Sequence, residues 1–214
     1  MKPFAIFSTN RWNRLRYTLY APGYDIVARF FSKSRSKSIR ELGINPGDEV
    51  LIVGAGTGLD LEFITADCHI IATDITPAMI AHTLKKNILY KRNLSAEVMD
   101  GQRFTIADGT VDKIILHLIL AVIPDPVACL KECERVLKPG GYMTVFDKFV
   151  PKGLKVSLMR KIFNPLANLL FSNITRRFEN IVSETSLVIE SDTPADLNGN
   201  FRIIKLYSDI KNFQ

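Results

Sequence analysis

Between residues 48 and 150 two rhythms alternate along the chain. The first is a set of short runs rich in Val, Ile and Leu: EVLIVGA, CHIIATDI (68–75), SAEVMDG (95–101), VDKIILHLIL (111–120) and YMTVFDKFV (142–150). Runs of this length bounded by Gly, Asp and Pro predict strands. The run 111–120 is almost wholly apolar, as a strand covered on both faces is. The second rhythm has apolar residues three and four apart. GLDLEFI begins one such stretch. TPAMIAHTLKKNI (76–88) is another, with Thr76 at the cap position, Pro77 opening the helix, and Met79, Ile80, Thr83 and Leu84 as its apolar face. In DPVACLKECERVLKPGG, Val127, Leu130 and Leu137 point inward and Pro139-Gly140-Gly141 ends the helix. Strands alternating with helices predict a doubly wound, mostly parallel α/β sheet.

The flanks read differently. Residues 10–42 have helical spacing, broken at Pro22-Gly23, with Tyr17, Tyr20 and Tyr24 around the break. Beyond the break, Ile26, Val27, Phe30, Phe31, Ile39 and Leu42 are interleaved with Arg29, Lys33, Arg35, Lys37 and Arg40, and Gly43 stops the helix. After the fifth strand no acidic residue occurs between Asp147 and Glu179, while Lys148, Lys152, Lys155, Arg160, Lys161, Arg176 and Arg177 do. Leu154, Leu158, Ile162, Leu166, Leu169 and Leu170 run through this stretch at helical spacing, interrupted at Asn164-Pro165. SLVIES (186–191) and FRIIKLYS (201–208), joined by a short loop, predict a terminal hairpin.

Composition narrows the class. A chain of 214 residues suits one α/β domain. Lys and Arg exceed Asp and Glu by 28 to 22, a mild basic excess compatible with an anionic partner. No apolar run approaches the roughly 18–20 residues of a membrane span. The N-terminal apolar patch meets Asn10, Arg11 and Arg14 too early for a secretory leader, so a cytoplasmic location is expected. Cys68, Cys129 and Cys133 form no CxxC pair and read as buried small apolar residues, so no metal site is expected.

The chemistry is concentrated at VGAGTGLD. A strand running into a glycine turn and a helix N-terminus offers free N–H groups to a nucleotide. Nicotinamide dinucleotides, flavins and S-adenosylmethionine are all held at such turns. The dinucleotide fingerprint is G-x-G-x-x-G. Here Gly54, Gly56 and Gly58 give G-x-G-x-G, and Leu59 stands where the third dinucleotide glycine belongs. Asp74 ends the next strand, where a carboxylate accepts from ribose hydroxyls in either cofactor class.

VLIVGAGTGLDLEFI, IIATDITPAMI, EVMDG and ERVLKPGGYMTVFD, in that order, resemble the successive motifs of class I S-adenosylmethionine-dependent methyltransferases across about 50–150. The resemblance implies a seven-stranded Rossmann-like sheet with an antiparallel last strand and an N-terminal helical cap. It implies that Gly54, Ala55, Gly56, Thr57 and Gly58 border the methionine part of the cofactor. Asp74 would bind the ribose with Ile75 beside the adenine, and Asp100 would accept from the adenine amino group with Gly101 adjacent. Leu116 and His117 would face cofactor and acceptor. The expected organisation is a cap over 1–45, a cofactor-binding core over 46–150, a basic helical insertion over 151–185 and terminal strands over 186–214. YTLYAPGYDIVARFF followed by the basic helix further resembles the ubiquinone/menaquinone-biosynthesis and bacterial phosphatidylethanolamine N-methyltransferases, whose Tyr-containing segment folds over the cofactor. Tyr20 and Tyr24 are therefore candidates for the methionine end or the acceptor.

Methyl transfer needs little from a protein beyond alignment and dryness, because the sulfonium methyl is already activated. An amine acceptor need only arrive unprotonated, whereas a phenol or carbon acid needs a base, for which His117 is the best placed. His82 reads as solvated beside Lys85 and Lys86, and His69 as structural. The acid-free stretch after Asp147 is either a solvated basic face or a lid meeting anionic lipid or a hydrophobic acceptor. No aromatic-rich basic strand points to nucleic acid. The expected activity is methylation of a small-molecule or lipid-like acceptor. The alternatives are a non-catalytic S-adenosylmethionine-binding protein and a nicotinamide-dependent oxidoreductase.

Overall fold

The computed structural model of the chain describes residues 10, 11, 13–15, 18, 29–151, 173, 175–196 and 200–209. Its frame is one seven-stranded sheet of order β3-β2-β1-β4-β5-β7-β6. The strands are β1 (Glu49–Val53), β2 (His69–Asp74), β3 (Asn93–Val98), β4 (Val111–His117), β5 (Leu137–Lys148), β6 (Val188–Pro194) and β7 (Phe201–Tyr207). The helices are α1 (Ser32–Leu42), α2 (Pro77–Tyr90), α3 (Pro126–Val136) and the short α4 (Phe178–Val182). β1 to β5 pair in parallel. β7 lies antiparallel between β5 and β6, which gives the expected mixed sheet and terminal hairpin.

The period of two along the central strands divides the core. Leu51 and Val53 of β1, with Ile114 and Leu116 of β4, face α3 and pack against Cys129, Leu130, Cys133 and Val136. Val50 and Ile52, with Ile115, face the other way onto Ile39 and Leu42 of α1. Consecutive residues of one strand thus feed opposite layers, which is why these strands read as unbroken apolar runs. Cys68, Cys129 and Cys133 are free and buried, as expected of small apolar side chains.

Four local expectations change. GLDLEFI makes a single 3-10 turn, Leu59–Glu62, instead of an α-helix. Residues 59–68 must carry the chain back along the sheet, about 17 Å for a five-residue strand plus the turns at each end. Ten α-helical residues rise only about 15 Å, so one tight turn followed by extended chain meets the distance. LKPGG joins β5 instead of ending α3. The register jumps from Val111↔Leu137 to Lys113↔Tyr142, leaving residues 138–141 as a bulge. Gly140 takes φ 76 there, and Lys138 Nζ lies 2.7 Å from Asp112 Oδ2. Thr76 is the N-cap of α2 but makes no side-chain cap hydrogen bond. Asp74 substitutes, its Oδ1 accepting the Thr76 N–H at 2.8 Å. Lastly, Leu84 does not join Met79, Ile80 and Thr83 in the core but stands 48% exposed.

The terminal hairpin is held by charge. Arg202 of β7 is 3% exposed. Its Nε lies 3.0 Å from Asp192 on β6 and its Nη2 2.8 Å from Glu179 on α4. Removing this guanidinium leaves the largely buried Asp192 carboxylate uncompensated. Arg202→Met is expected to lower unfolding stability by about 3 kcal/mol in a urea titration, the usual cost of breaking one side of a buried pair.

Candidate active site

The carboxyl ends of β1 to β4 open into one cleft of about 770 Å³, part of it open to solvent. Its floor is the glycine loop. Gly54, Gly56 and Gly58 adopt φ 69, 58 and 78, the left-handed region that an L side chain resists. At Gly54 a Cβ would also lie 2.8 Å from Ile119 Cδ1, so a side chain there would add a displacement of Ile119 to the backbone strain. The loop is tied down by Ala55 N–H to Thr73 O at 2.8 Å and by the Thr83 hydroxyl to Gly56 O at 2.9 Å.

Two carboxylates stand over this floor. Asp74 accepts from Gly56 N–H at 3.0 Å through Oδ2 and from Thr76 N–H through Oδ1, so it joins the loop to the first turn of α2. Burial pushes its carboxyl up from the ordinary value, and the two backbone donors pull it back in part. Met99 N–H donates to Asp74 O at 3.0 Å, which sets the end of β3 beside the end of β2. Asp100 follows. Its Oδ2 accepts from Asn10 Nδ2 at 2.5 Å, and its Oδ1 from the Gln102 backbone and side-chain amides, both at 3.0 Å. Ala55, Thr57, Ile75 and Gly101 also line the cleft.

The two residues expected at the end of β4 part company. His117 reaches the cleft, but Leu116 does not; it is 0% exposed inside the α3-facing core. Adjacent strand residues point to opposite faces, so only one of the pair can turn toward the α1 side. Tyr20 and Tyr24 lie outside the described residues.

His117 sits in a chain of buried polar groups. Its Nδ1 is 2.8 Å from Asp60 Oδ1, and its Nε2 2.9 Å from Ser38 Oγ, which is 2.7 Å from Thr144 Oγ1. Arg35 Nη1 reaches the same Asp60 oxygen at 2.8 Å. Burial alone would raise the Asp60 carboxyl, but Arg35 and His117 outweigh it and hold it far below the usual carboxylate range. Burial pushes His117 down, and the Asp60 charge restores only part of the loss. One proton arrangement satisfies every member. A neutral His117 donates from Nδ1 to the Asp60 carboxylate and accepts at Nε2 from Ser38, whose oxygen accepts from Thr144.

The far wall is the loop after β4, which supplies Leu118, Ile119, Val122 and Ile123. Leu118 is held at φ 60, a costly conformation for a branched side chain. Its N–H bonds Phe146 O at 2.8 Å. Buried Asp147 accepts from Ala121 N–H at 2.9 Å and from Lys148 N–H at 2.7 Å. Asn173 N–H donates to Ala121 O at 2.8 Å, and the Arg176 guanidinium bonds Leu120 O and Pro124 O. The wall is therefore fastened both to β5 and to the chain that follows it.

Four cleft or network residues have little mark in the sequence. Asn10, Asn13 and Arg35 come from the N-terminal region and line the cleft. Asp60 was one acid among helical apolars; its burial is the signal, and the sequence shows it only as a charge inside GLDLEFI.

A family profile described as a methyltransferase domain matches residues 51–145, the segment that contains the glycine loop, Asp74, Asp100 and β4. This segment is a methyltransferase domain of the class I S-adenosylmethionine-dependent kind. It is 23% identical over 161 residues to a phosphatidylethanolamine N-methyltransferase of Cereibacter sphaeroides, covering 74% of this chain and 79% of that one. It is 32% identical over 118 residues to a demethylmenaquinone methyltransferase of Corynebacterium glutamicum, covering 55% of this chain and only 49% of that relative. The chain spans less than two thirds of the length of several curated relatives that it matches. The fold is shared by a chain in the Haloferax volcanii Trm112 methyltransferase-activator complex, with TM-score 0.76 and 15% identity over 92% of this chain and 97% of that one.

The cleft wall generates a pH prediction. Burial raises the Asp147 carboxyl to about 6, against the pull of two backbone N–H groups and of Lys148 and Arg176. The folded state then holds a proton that the unfolded chain has released, so stability falls as pH rises from about 4 to 6.5. Asp147→Asn removes that titration. Relative to the variant, the wild type is expected to lose about 3 kcal/mol across this window in urea titrations, since a tenfold change in proton affinity is worth about 1.4 kcal/mol.

Proposed function

We propose that the protein transfers the methyl group of S-adenosylmethionine to a small-molecule or lipid-like acceptor. The observation that carries this reading is that one cleft joins the left-handed glycine loop, two carboxylates at consecutive strand ends and an apolar wall. These residues fit the cofactor. Gly54 and Gly56, both in the left-handed region, turn the loop so that its backbone lines the cleft where the methionine end would lie. Asp74 uses both oxygens to hold the loop, yet each keeps a lone pair for a ribose hydroxyl, with Ile75 beside the adenine. Asp100 and Gly101 border the adenine end. When bound, the cofactor supplies a methyl group on a positively charged sulfur.

The remaining work is positioning and exclusion of water. Leu118, Ile119, Val122, Ile123 and Met79 make a dry wall in which a neutral acceptor sheds its hydration. His117 has both ring nitrogens engaged inside the protein, so we assign it to fixing the loop geometry and not to proton removal. This favours an acceptor atom that arrives as a free nucleophile. The lipid-like acceptor is further supported by the names of two relatives, which act on phosphatidylethanolamine and demethylmenaquinone.

The N-terminal region serves as a cap in this reading. Asn10 bonds Asp100, Asn13 Nδ2 reaches Val122 O at 3.4 Å, and Arg14 Nε reaches Ile75 O at 2.9 Å. Tyr20 and Tyr24 are assigned to the same cap, over the methionine end. The divisions 1–45, 46–150, 151–185 and 186–214 follow as cap, core, basic insertion and terminal strands. Among the described residues no helix is long and apolar enough to cross a membrane. Contact with anionic lipid would be peripheral.

Calorimetric titration with S-adenosylhomocysteine, followed by a transfer assay over amines, thiols, phenols, quinols and phospholipids, tests the proposal. Binding of NADH without binding of S-adenosylhomocysteine would overturn it, and binding without transfer to any acceptor would favour a non-catalytic protein. Asp74→Ala is expected to weaken S-adenosylhomocysteine at least about tenfold through loss of charge-assisted hydrogen bonds. Unchanged affinity would remove Asp74 from the site.

A further inference from the structure

Helix α2 packs on the sheet along one face, from Met79 near its start to Tyr90 at its end. Met79, Ile80 and Thr83 are buried against the sheet, and Met79 lines the cleft. Beyond Thr83 the helix turns large aliphatic side chains outward. Leu84 is 48% exposed, Ile88 72% and Leu89 77%. Leu84 and Ile88 are four apart and share a face, while Leu89 lies about 100° further round with Lys85 between, so the three span the outward side of the last two turns. Exposed Lys85 and Lys91 stand beside these side chains, with His82 one turn earlier, while Arg92 turns inward, its Nε donating to Leu61 O at 3.3 Å. No Asp or Glu occurs from Thr76 to Ala96. The nearest acids on packed elements are Glu62, which faces Tyr90, and Glu97 on β3. β3 is the edge strand, and α2 packs on β2 and β3, so this outward side lies on a flank of the molecule.

Exposed aliphatics with like-signed charges need one partner that meets both. A second copy docked about a two-fold axis would set these cations against their own images. Nucleic acid would answer the cations but leave the aliphatic side chains facing phosphates. A bilayer rich in anionic lipid answers both. The side chains enter the headgroup–acyl boundary, and the lysines meet phosphates. The helix has 14 residues, a length of about 21 Å, short of the roughly 30 Å hydrocarbon core. It can lie on a membrane but not cross it.

We propose that Leu84, Ile88 and Leu89, with Lys85 and Lys91, form the surface by which the protein rests on an anionic phospholipid bilayer. The surface is distinct from the cleft, which takes only the first turn of α2. It requires no particular acceptor, so it stands or falls apart from the methyl-transfer reading.

The test is co-sedimentation of the full chain with vesicles of phosphatidylcholine alone or of phosphatidylcholine with phosphatidylglycerol, at low and high salt. The wild type is expected to partition onto the anionic vesicles. Ile88→Asn/Leu89→Asn, two exposed sites, is expected to weaken partition at least about tenfold at both salts. Lys85→Gln/Lys91→Gln is expected to weaken it about tenfold at low salt and little at high salt. All variants should keep wild-type affinity for S-adenosylhomocysteine, which shows that the cleft is intact. Absence of vesicle binding by the wild type, or wild-type partition by the apolar variant, overturns the proposal. So does a wild-type dimer in sedimentation equilibrium that Ile88→Asn/Leu89→Asn converts to monomer. Loss of S-adenosylhomocysteine binding in the wild type itself would count against the cofactor reading and leave the vesicle result untouched.

Discussion

A carboxylate buried between four elements, Asp60, fixes how the glycine loop sits in the fold. It follows Gly58 by two residues and is 3% exposed. A lone ionised carboxylate in such a place would be far too costly, so the chain must bring it a cation and donors. Arg35 comes from α1 and His117 from the end of β4. Ser38 and Thr144 extend the chain of bonds to β5. The result is a registration device. α1 can lie on this face of the sheet in one place, the place where Arg35 meets Asp60. A well-packed apolar substitute could match its stability. What the charges add is a single correct docking of α1 beside the glycine loop.

The same comparison of burial against partners explains why two buried aspartates behave in opposite ways. Asp60 and Asp147 are both nearly inaccessible, and burial raises both carboxyls. Asp60 has a guanidinium at 2.8 Å and falls well below its ordinary value. Asp147 has two backbone N–H groups but only more distant cations, Lys148 and Arg176, and settles at about 6. Dipoles of two amides do not offset desolvation; a contacting charge does. Asp147 nevertheless holds the Ala121 backbone, so the wall of the cleft depends on a group that gains or loses a proton in mildly acidic conditions.

The central strands were legible because both faces of a parallel sheet are covered, and continuous apolar runs are the direct consequence. The glycine loop was legible because left-handed φ at three positions leaves a spacing of glycines that other conformations do not need. Leu116 was misplaced for want of the same period of two: a strand end offers one side chain to a cleft, not two. The short 3-10 turn was hidden because GLDLEFI carries helical periodicity, and only the length of the return path forbids the helix. Asn10 and Asn13 had no signature at all. They reach Asp100 and Val122 across about 90 to 110 residues of chain, and long-range pairing of neutral amides leaves no local pattern. Asp60 shows the limit most clearly, because an acid in an amphipathic run looks solvated until the fold buries it.

Helix α2 illustrates how one periodic segment divides its labour. Its first turn is constrained by Asp74, which holds the Thr76 N–H, and by Met79 at the cleft. Thr83 completes the fixed part by bonding Gly56 O. Past that point only Tyr90 turns back onto the core, because β3 is the last strand. An ordinary solvent-facing flank would carry Glu and Lys in alternation there, which would favour solubility and add i,i+4 pairs. The chain instead places Leu84, Ile88 and Leu89 among cations, with no acid anywhere in the helix. Neither core packing nor surface helix stability accounts for that choice. Folding does not consume these three aliphatic side chains, so the free energy of removing them from water is still available to an external surface of opposite charge.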